Sequence, residues 1–234
     1  MKQTLDTLFR QIKIDTNVLK QNSAVFEEAF THRSLGKAFH NERLEFLGDA
    51  VLELVTTEFL FHSFPNCPEG DMTNYRSALV KRENLALVAR KLKLGDLLFL
   101  SKGEEASGGR EKDYLLANVV EALIGALYIT VGFKESARFV TEWILIELEA
   151  IIKNNSHIDA KSALQELTQG EHGVTPHYQT MSESGLDHEK TFEVAVFLGE
   201  VKLAVGSGNS KKEGQVEAAA KALEKKEDWT KKLK

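Results

Sequence analysis

From Ala24 to Ile152, apolar residues recur at three- and four-residue intervals. The pattern predicts successive helices through AVFEEAF (24–30), RLEFLGDAVLELVTTEFLFHSF (43–64), YRSALVKRENLALVARKLKL (75–94), YLLANVVEALIGALYITVGF (114–133) and SARFVTEWILIELEAII (136–152). The breaks between them are chemically ordinary: FPNCPEGD (64–71) has two prolines and a glycine, and SKGEEASGGREKD (101–113) reads as a glycine-rich charged loop. After KNNSHID (153–159), a polar run suited to a linker, the period changes. KSALQELTQG (161–170) is helical and stops at Gly170. TPHYQTM, TFEVAVFLG and VKLAVGSG are alternating or β-branched, and SKKEGQVEAAAKALEKK (210–226) is helical again. The expected architecture is an all-α domain over 1–152, a linker over 153–159, and an α-β-β-β-α domain over 160–228.

One predicted helix carries an ordered set of acids. In NERLEFLGDAVLEL (41–54), Glu42, Glu45, Asp49 and Glu53 follow one another at helical intervals. At about 100° per residue they share a stripe roughly 80° wide. Leu44, Phe46, Leu47, Val51, Leu52, Leu54 and Val55 take most of the remaining circumference, so the helix is expected to be largely buried with one acidic seam. Such a seam is by default the wet face of an amphipathic helix.

A second segment changes that default. LLANVVEALIGALYI is apolar on all sides except at Asn118 and Glu121, which lie three apart and so share a face, as Glu45 and Asp49 do at four apart. A buried carboxylate must find a cation or take up a proton. Two partners would serve Glu121: an arginine such as Arg43, Arg76 or Arg110, or a metal ion held jointly by Glu45, Asp49, Asn118 and Glu121. Oxygen donors without His or Cys suit Mg²⁺, and disfavour zinc.

Composition narrows the classes. A chain of 234 residues, 42 % hydrophobic and 28 % charged, is ordinary for a globular protein. Its first residues lack an apolar run of signal-peptide length and no eighteen apolar residues run uninterrupted, so a cytoplasmic protein without a membrane span is expected. The single cysteine, Cys67, reads as a loop residue. A net charge of −5 disfavours a protein that coats nucleic acid indiscriminately. Charge is unevenly placed, since residues 211–234 hold eight lysines against five acids.

NERLEFLGDAVLEL is similar to the signature of the ribonuclease III family of double-stranded RNA endonucleases. THRS (31–34), EGDMTNYRSALV (69–80) and GGREKDYLLANVVEALIGALY (108–128) resemble the family's other characteristic stretches, in the expected order. Residues 157 to about 227 resemble the double-stranded RNA-binding domain that follows the nuclease domain in bacterial members.

The resemblance implies a homodimer with one acidic site per nuclease domain. The two sites cut opposite strands, leave 5′-phosphate and 3′-hydroxyl ends with short 3′ overhangs, and serve ribosomal and other precursor RNA processing. It makes Glu45, Asp49 and Glu121 ligands of Mg²⁺, with Mn²⁺ able to take the same donors, and Glu42 a supporting acid. Glu69 and Asp71 match acids at the dimer and substrate edge, where a loop-capping role is an equal alternative. His32 is expected to make structural hydrogen bonds. Asn118 departs from the family's aspartate: an amide oxygen ligates without charge, so the site has three formal negatives and should hold Mg²⁺ more weakly. The alternative is a weak or inert double-stranded RNA-binding dimer. In the second domain the resemblance assigns duplex contacts to Gln165 and Glu166 on the first helix, His188 before the second strand, and Lys211 and Lys212 opening the last helix. Gly214, where the family has alanine or a similar residue, should weaken that helix by roughly 0.5–1 kcal/mol. Residues 157–234 hold eleven lysines, no arginine and thirteen acids, so an RNA-binding face must be concentrated.

Overall fold

The computed structural model describes residues 4–153, 160–185 and 190–230. The chain divides into two compact units, residues 1–157 and 158–234.

The first unit is helical. It contains α1 (Leu5–Gln11), α2 (Thr16–Gln21), α3 (Ser23–Phe30), α4 (Glu42–Ser63), α5 (Glu69–Val80), α6 (Arg82–Lys91), α7 (Lys102–Ala106), α8 (Asp113–Val131), α9 (Phe133–Trp143) and α10 (Leu148–Lys153). Two stretches that read as single helices are divided. Lys81, with ψ at 150°, separates α5 from α6, and a 3-10 turn at Leu145–Glu147 separates α9 from α10. The stretch 101–113 is more ordered than a charged loop: Ser101 caps α7 by accepting from the Glu104 N–H, and a 3-10 turn follows at Gly109–Glu111.

The core forms around α8. Leu115, Leu116, Val119, Val120, Leu123, Ile124 and Leu127 are buried, and α3, α4, α6 and α9 pack against the helix. By length and composition α8 could cross a membrane, but it lies mostly buried at the centre of this unit, as a core helix does. The expectation for α4 needs correction. Leu44, Val51, Leu52 and Val55 face the core, whereas Phe46 (81 %) and Leu54 (58 %) are exposed, as is Phe61 one to two turns on (65 %). α4 packs against α3, α5, α8 and α9 but is not covered all round, so it has an apolar outer stripe besides its acidic one.

The second unit packs α11 (Ala160–His172) and α12 (Lys211–Glu224) on one face of an antiparallel sheet of β1 (His177–Ser184), β2 (Thr191–Leu198) and β3 (Val201–Gly208), in that order. α11 runs past Gly170 and ends at Gly173 with φ +68°. Its core joins Leu164, Val196, Leu198, Leu203, Ala218, Ala219, Ala222 and Trp229. Trp229 lies on α13 (Lys226–Thr230), which the periodicity did not suggest, and donates to the Ala222 carbonyl at 2.7 Å.

Candidate active site

The site is set by two glycines. A Cβ on Gly48 would run into the Glu121 carbonyl, and one on Gly125 into the Leu44 carbonyl, so α4 and α8 cross backbone to backbone. Glu45 and Asp49 flank Gly48; Asn118 lies two turns and Glu121 one turn before Gly125. The crossing therefore brings the two pairs together at the edge of an apolar core.

The four acids of the α4 stripe, Glu42, Glu45, Asp49 and Glu53, are not equivalent. Glu42 is paired through one oxygen, Arg33 Nη1 donating to Oε1 at 3.1 Å, while His40 Nδ1 stands 3.7 Å from Oε2 without a hydrogen bond. Glu53 is paired with Arg76 Nε at 3.0 Å, and Arg76 Nη1 also donates to Thr57 Oγ1 at 3.0 Å. Among the described residues, Glu45 and Asp49, the middle two, form no salt bridge. Glu45 Oε2 is enclosed and accepts no hydrogen bond.

Electrostatics agree with this geometry. The Glu121 carboxyl is pushed up to about 8, first by burial and then by the charges of Asp49, Glu45 and Glu53. No cation offsets them: Arg76 is taken by Glu53, Arg110 holds Glu105 and the Gly95 and Leu98 carbonyls, and among the described residues Arg43 forms no salt bridge with Glu121. Glu45 is also raised, by burial and the neighbouring Glu42, against the opposing pull of the Asn118 side chain and Arg33. Three carboxylates and an amide, one oxygen orphaned and one group desolvated, form a hard-oxygen donor set suited to a divalent cation such as Mg²⁺. Among the described residues, no three His, Cys, Asp or Glu side chains stand together closely enough to hold an ion without adjustment.

Other sequence-derived candidates lie elsewhere. Glu69 and Asp71 open α5; Glu69 accepts from Thr73 Oγ1 at 3.0 Å and lines a cleft with Thr57, Phe61 and Arg76. His32 makes the structural bonds expected of it, its Nδ1 accepting from the Ser34 N–H and its own N–H donating to the Phe99 carbonyl. Arg33 and His40 had drawn no pairing from the sequence, and Arg76, offered there to Glu121, is held by Glu53 instead. The signal available was THRS, placed just before the acidic helix.

In the second unit Gln165 and Glu166 are exposed on α11, and Lys211 and Lys212 are exposed at the N-terminus of α12, whose cap Ser210 accepts from the Glu213 N–H. Lys211 Nζ lies 5.9 Å from the centre of the Phe192 ring. Lys161, not anticipated, joins α11 to α12 through Gln215 at 2.7 Å. His188 lies outside the described residues. Gly214 is closely packed: a Cβ there would come within 2.8 Å of Val194 Cγ2 and 3.1 Å of the Phe192 carbonyl.

Residues 22–148 match the model of ribonuclease-III-like domains, and residues 160–226 that of the double-stranded RNA binding motif. The chain belongs to the ribonuclease III family. It is 42 % identical over 204 residues to ribonuclease 3 of Campylobacter fetus subsp. fetus, covering 87 % of this chain and 92 % of that protein. With ribonuclease 3 of Campylobacter jejuni (strain RM1221) identity is 47 %, over 84 % of this chain and 88 % of the relative. The helical unit is similar to the crystal structure of the nuclease domain of Campylobacter jejuni ribonuclease III, at 38 % identity and a TM-score of 0.57, covering 61 % of this chain and 94 % of that one. The protein is thus a double-stranded RNA endonuclease of this family, a helical nuclease domain followed by a double-stranded RNA-binding domain. The family is generally dependent on a divalent metal.

Proposed function

We propose that this ribonuclease III family member is a Mg²⁺-dependent endonuclease, with Mn²⁺ as a substitute, that acts as a homodimer in the cytoplasm on ribosomal and other precursor RNAs. The observation that carries the metal reading is Glu121, a desolvated carboxylate facing Asp49 and Glu45 with no basic partner. Glu45, Asp49 and Glu121 would hold the ion, and Asn118 would add an uncharged oxygen or orient a bound water. A bound divalent ion supplies a nucleophilic water at neutral pH and neutralises charge developing on the phosphate.

The chain's own groups do the rest. The α4–α8 crossing holds Glu45, Asp49 and Glu121 on facing helix surfaces, with Glu121 desolvated, Glu45 half-buried and Asp49 open to solvent. In the reaction a water oxygen bonds to phosphorus while the P–O3′ bond breaks. A 5′-phosphate remains on one fragment and a 3′-hydroxyl on the other.

Dimerisation is supported by the exposed stripe of Phe46, Leu54 and Phe61, beside a cleft lined by Val25, Leu44, Leu47 and Ile129; such apolar surface on a monomer marks an interface. For the Campylobacter jejuni nuclease domain, a region involved in dimer formation has been described. Two antiparallel sites in a dimer would cut opposite strands and leave short 3′ overhangs.

The test is cleavage of a defined RNA hairpin across a Mg²⁺ titration, with fragment ends mapped and the protein's mass in solution measured. Ion-dependent cutting to 5′-phosphate ends by a dimer is the expected result. A duplex that is shifted in a gel yet stays whole at every Mg²⁺ and Mn²⁺ concentration would make the chain an inert binder.

A further inference from the structure

We infer that Arg33 is a substrate-phosphate contact at the rim of the acidic site, and that Glu42 is the residue that positions it. The inference rests on the reading of the acidic cluster as the cleavage site.

The chain places Arg33 with care. It opens a 3-10 turn, Arg33–Leu35, capped by the His32 ring accepting from the Ser34 N–H and closed by Gly36 at φ +65°. The surrounding segment is tied at three further points: the His32 N–H to the Phe99 carbonyl at 3.1 Å, the Asn41 N–H to the Thr31 carbonyl at 2.9 Å, and the Ser101 N–H to Ser34 Oγ at 3.1 Å. A surface arginine without a task does not need so firm a base.

The side chain itself remains available. Arg33 is 71 % exposed, and its Glu42 partner 46 %. An exposed pair of this kind contributes only about 0–1 kcal/mol, so exchanging the carboxylate for a phosphate costs little. The guanidinium fork matches two phosphate oxygens, and it stands close enough to Glu45 to act on that carboxylate's charge.

Need and position coincide. The site's rim presents Glu42, Glu45, Asp49 and Glu53 beside Glu121, a field that repels RNA. Arg76, a second cation on this acidic edge, is held by both Glu53 and Thr57 and is less exposed, at 35 %. With Arg33 on one of its oxygens, Glu42 is engaged by a cation of the chain, whereas among the described residues Glu45 and Asp49 form no salt bridge.

The test compares the full-length protein with Arg33→Gln and Arg33→Lys. Binding to a duplex RNA in EDTA is measured across a salt series, and kcat and KM are measured in Mg²⁺. Loss of one phosphate contact lowers the slope of log affinity against log salt by about one unit per protomer. Arg33→Gln should show that loss and an increase in KM of roughly tenfold, with Tm unchanged. Arg33→Lys should recover the slope while recovering KM only in part, because a lysine lacks the fork. An Arg33→Gln protein with the wild-type slope and KM overturns the inference, and so does one whose only change is a lower Tm. A wild-type protein that binds duplex RNA but never cuts it would instead defeat the reading of the acidic cluster.

Discussion

Both units are built on a backbone approach too close for a Cβ, and each places a glutamate beside it, yet the two glutamates are treated in opposite ways. In the helical unit, Glu121 sits where α8 meets Gly48 of α4; it is desolvated, faces two other carboxylates and is raised to about 8. In the second unit, Glu217 sits where α12 meets Gly206 of β3. It accepts from the Ser207 N–H and Oγ, pairs with Lys221 at 3.1 Å, and is held below the usual carboxylate range, chiefly by that backbone N–H. Tight packing alone therefore does not mark a functional acid. The marker is burial without donors, because folding leaves a charge uncompensated only where something outside the fold is to meet it.

The contrast can be broken at its strongest point first. Glu121→Ala should reduce cleavage by roughly 10²–10³-fold or more while leaving duplex binding to the second domain, and undiminished cutting would remove Glu121 from the site. Its titration adds a signature. Folded Glu121 keeps its proton up to about pH 8, whereas in the unfolded chain it releases it near 4.5. The folded state then binds more protons across that window, so in EDTA stability should fall as pH rises from about 5 to 8. Glu121→Gln should flatten that fall. Glu217, lowered by its donors, works in the other sense: its contribution is present above ordinary carboxylate pH and is lost on acidification.

Next in size is the crossing itself. Gly48→Ala forces a methyl against the Glu121 carbonyl and should cost about 1–3 kcal/mol or more, read by denaturant unfolding. Cleavage measured well below the transition should fall too, because the carboxylate spacing moves with the backbone. A variant with wild-type stability would mean that α4 and α8 do not touch as described.

Asn118→Asp restores a fourth negative charge. It should lower the Mg²⁺ concentration for half-maximal cleavage, by roughly tenfold. A rise would mean that the amide is not standing where a ligand belongs.

The smallest effect is expected at Gly214. Alanine there gains roughly 0.5–1 kcal/mol in helix propensity but meets a Val194 methyl at 2.8 Å and the Phe192 carbonyl at 3.1 Å, both farther than the 1.8 Å between a Cβ on Gly48 and the Glu121 carbonyl. A net change within about 1 kcal/mol is expected, and a loss as large as that of Gly48→Ala would erase the distinction between the two crossings.

Much of this organisation could be read along the chain. Spacing of three and four put Glu45 with Asp49 and Asn118 with Glu121 on shared helix faces, and the change of period after residue 159 announced strands. Arg33 with Glu42 and Arg76 with Glu53 could not be read, since pairs 9 and 23 residues apart depend on where loops return. Nor could the fate of Phe46 and Leu54, which an apolar pattern places inside and the packing leaves outside. The crowding at Gly214 could not be read for the same reason: propensity belongs to one helix, but the space above Val194 belongs to two elements.

The amino-acid sequence by itself determined the helices, the strands and the side of each helix on which the acids lie, because those follow from periods of 3.6 and 2 within short segments. Only the tertiary structure decided which acids are spent on arginines and which stay unpaired. That choice turns on distances between segments far apart in the chain, fixed here by two glycines that let α4 and α8 meet.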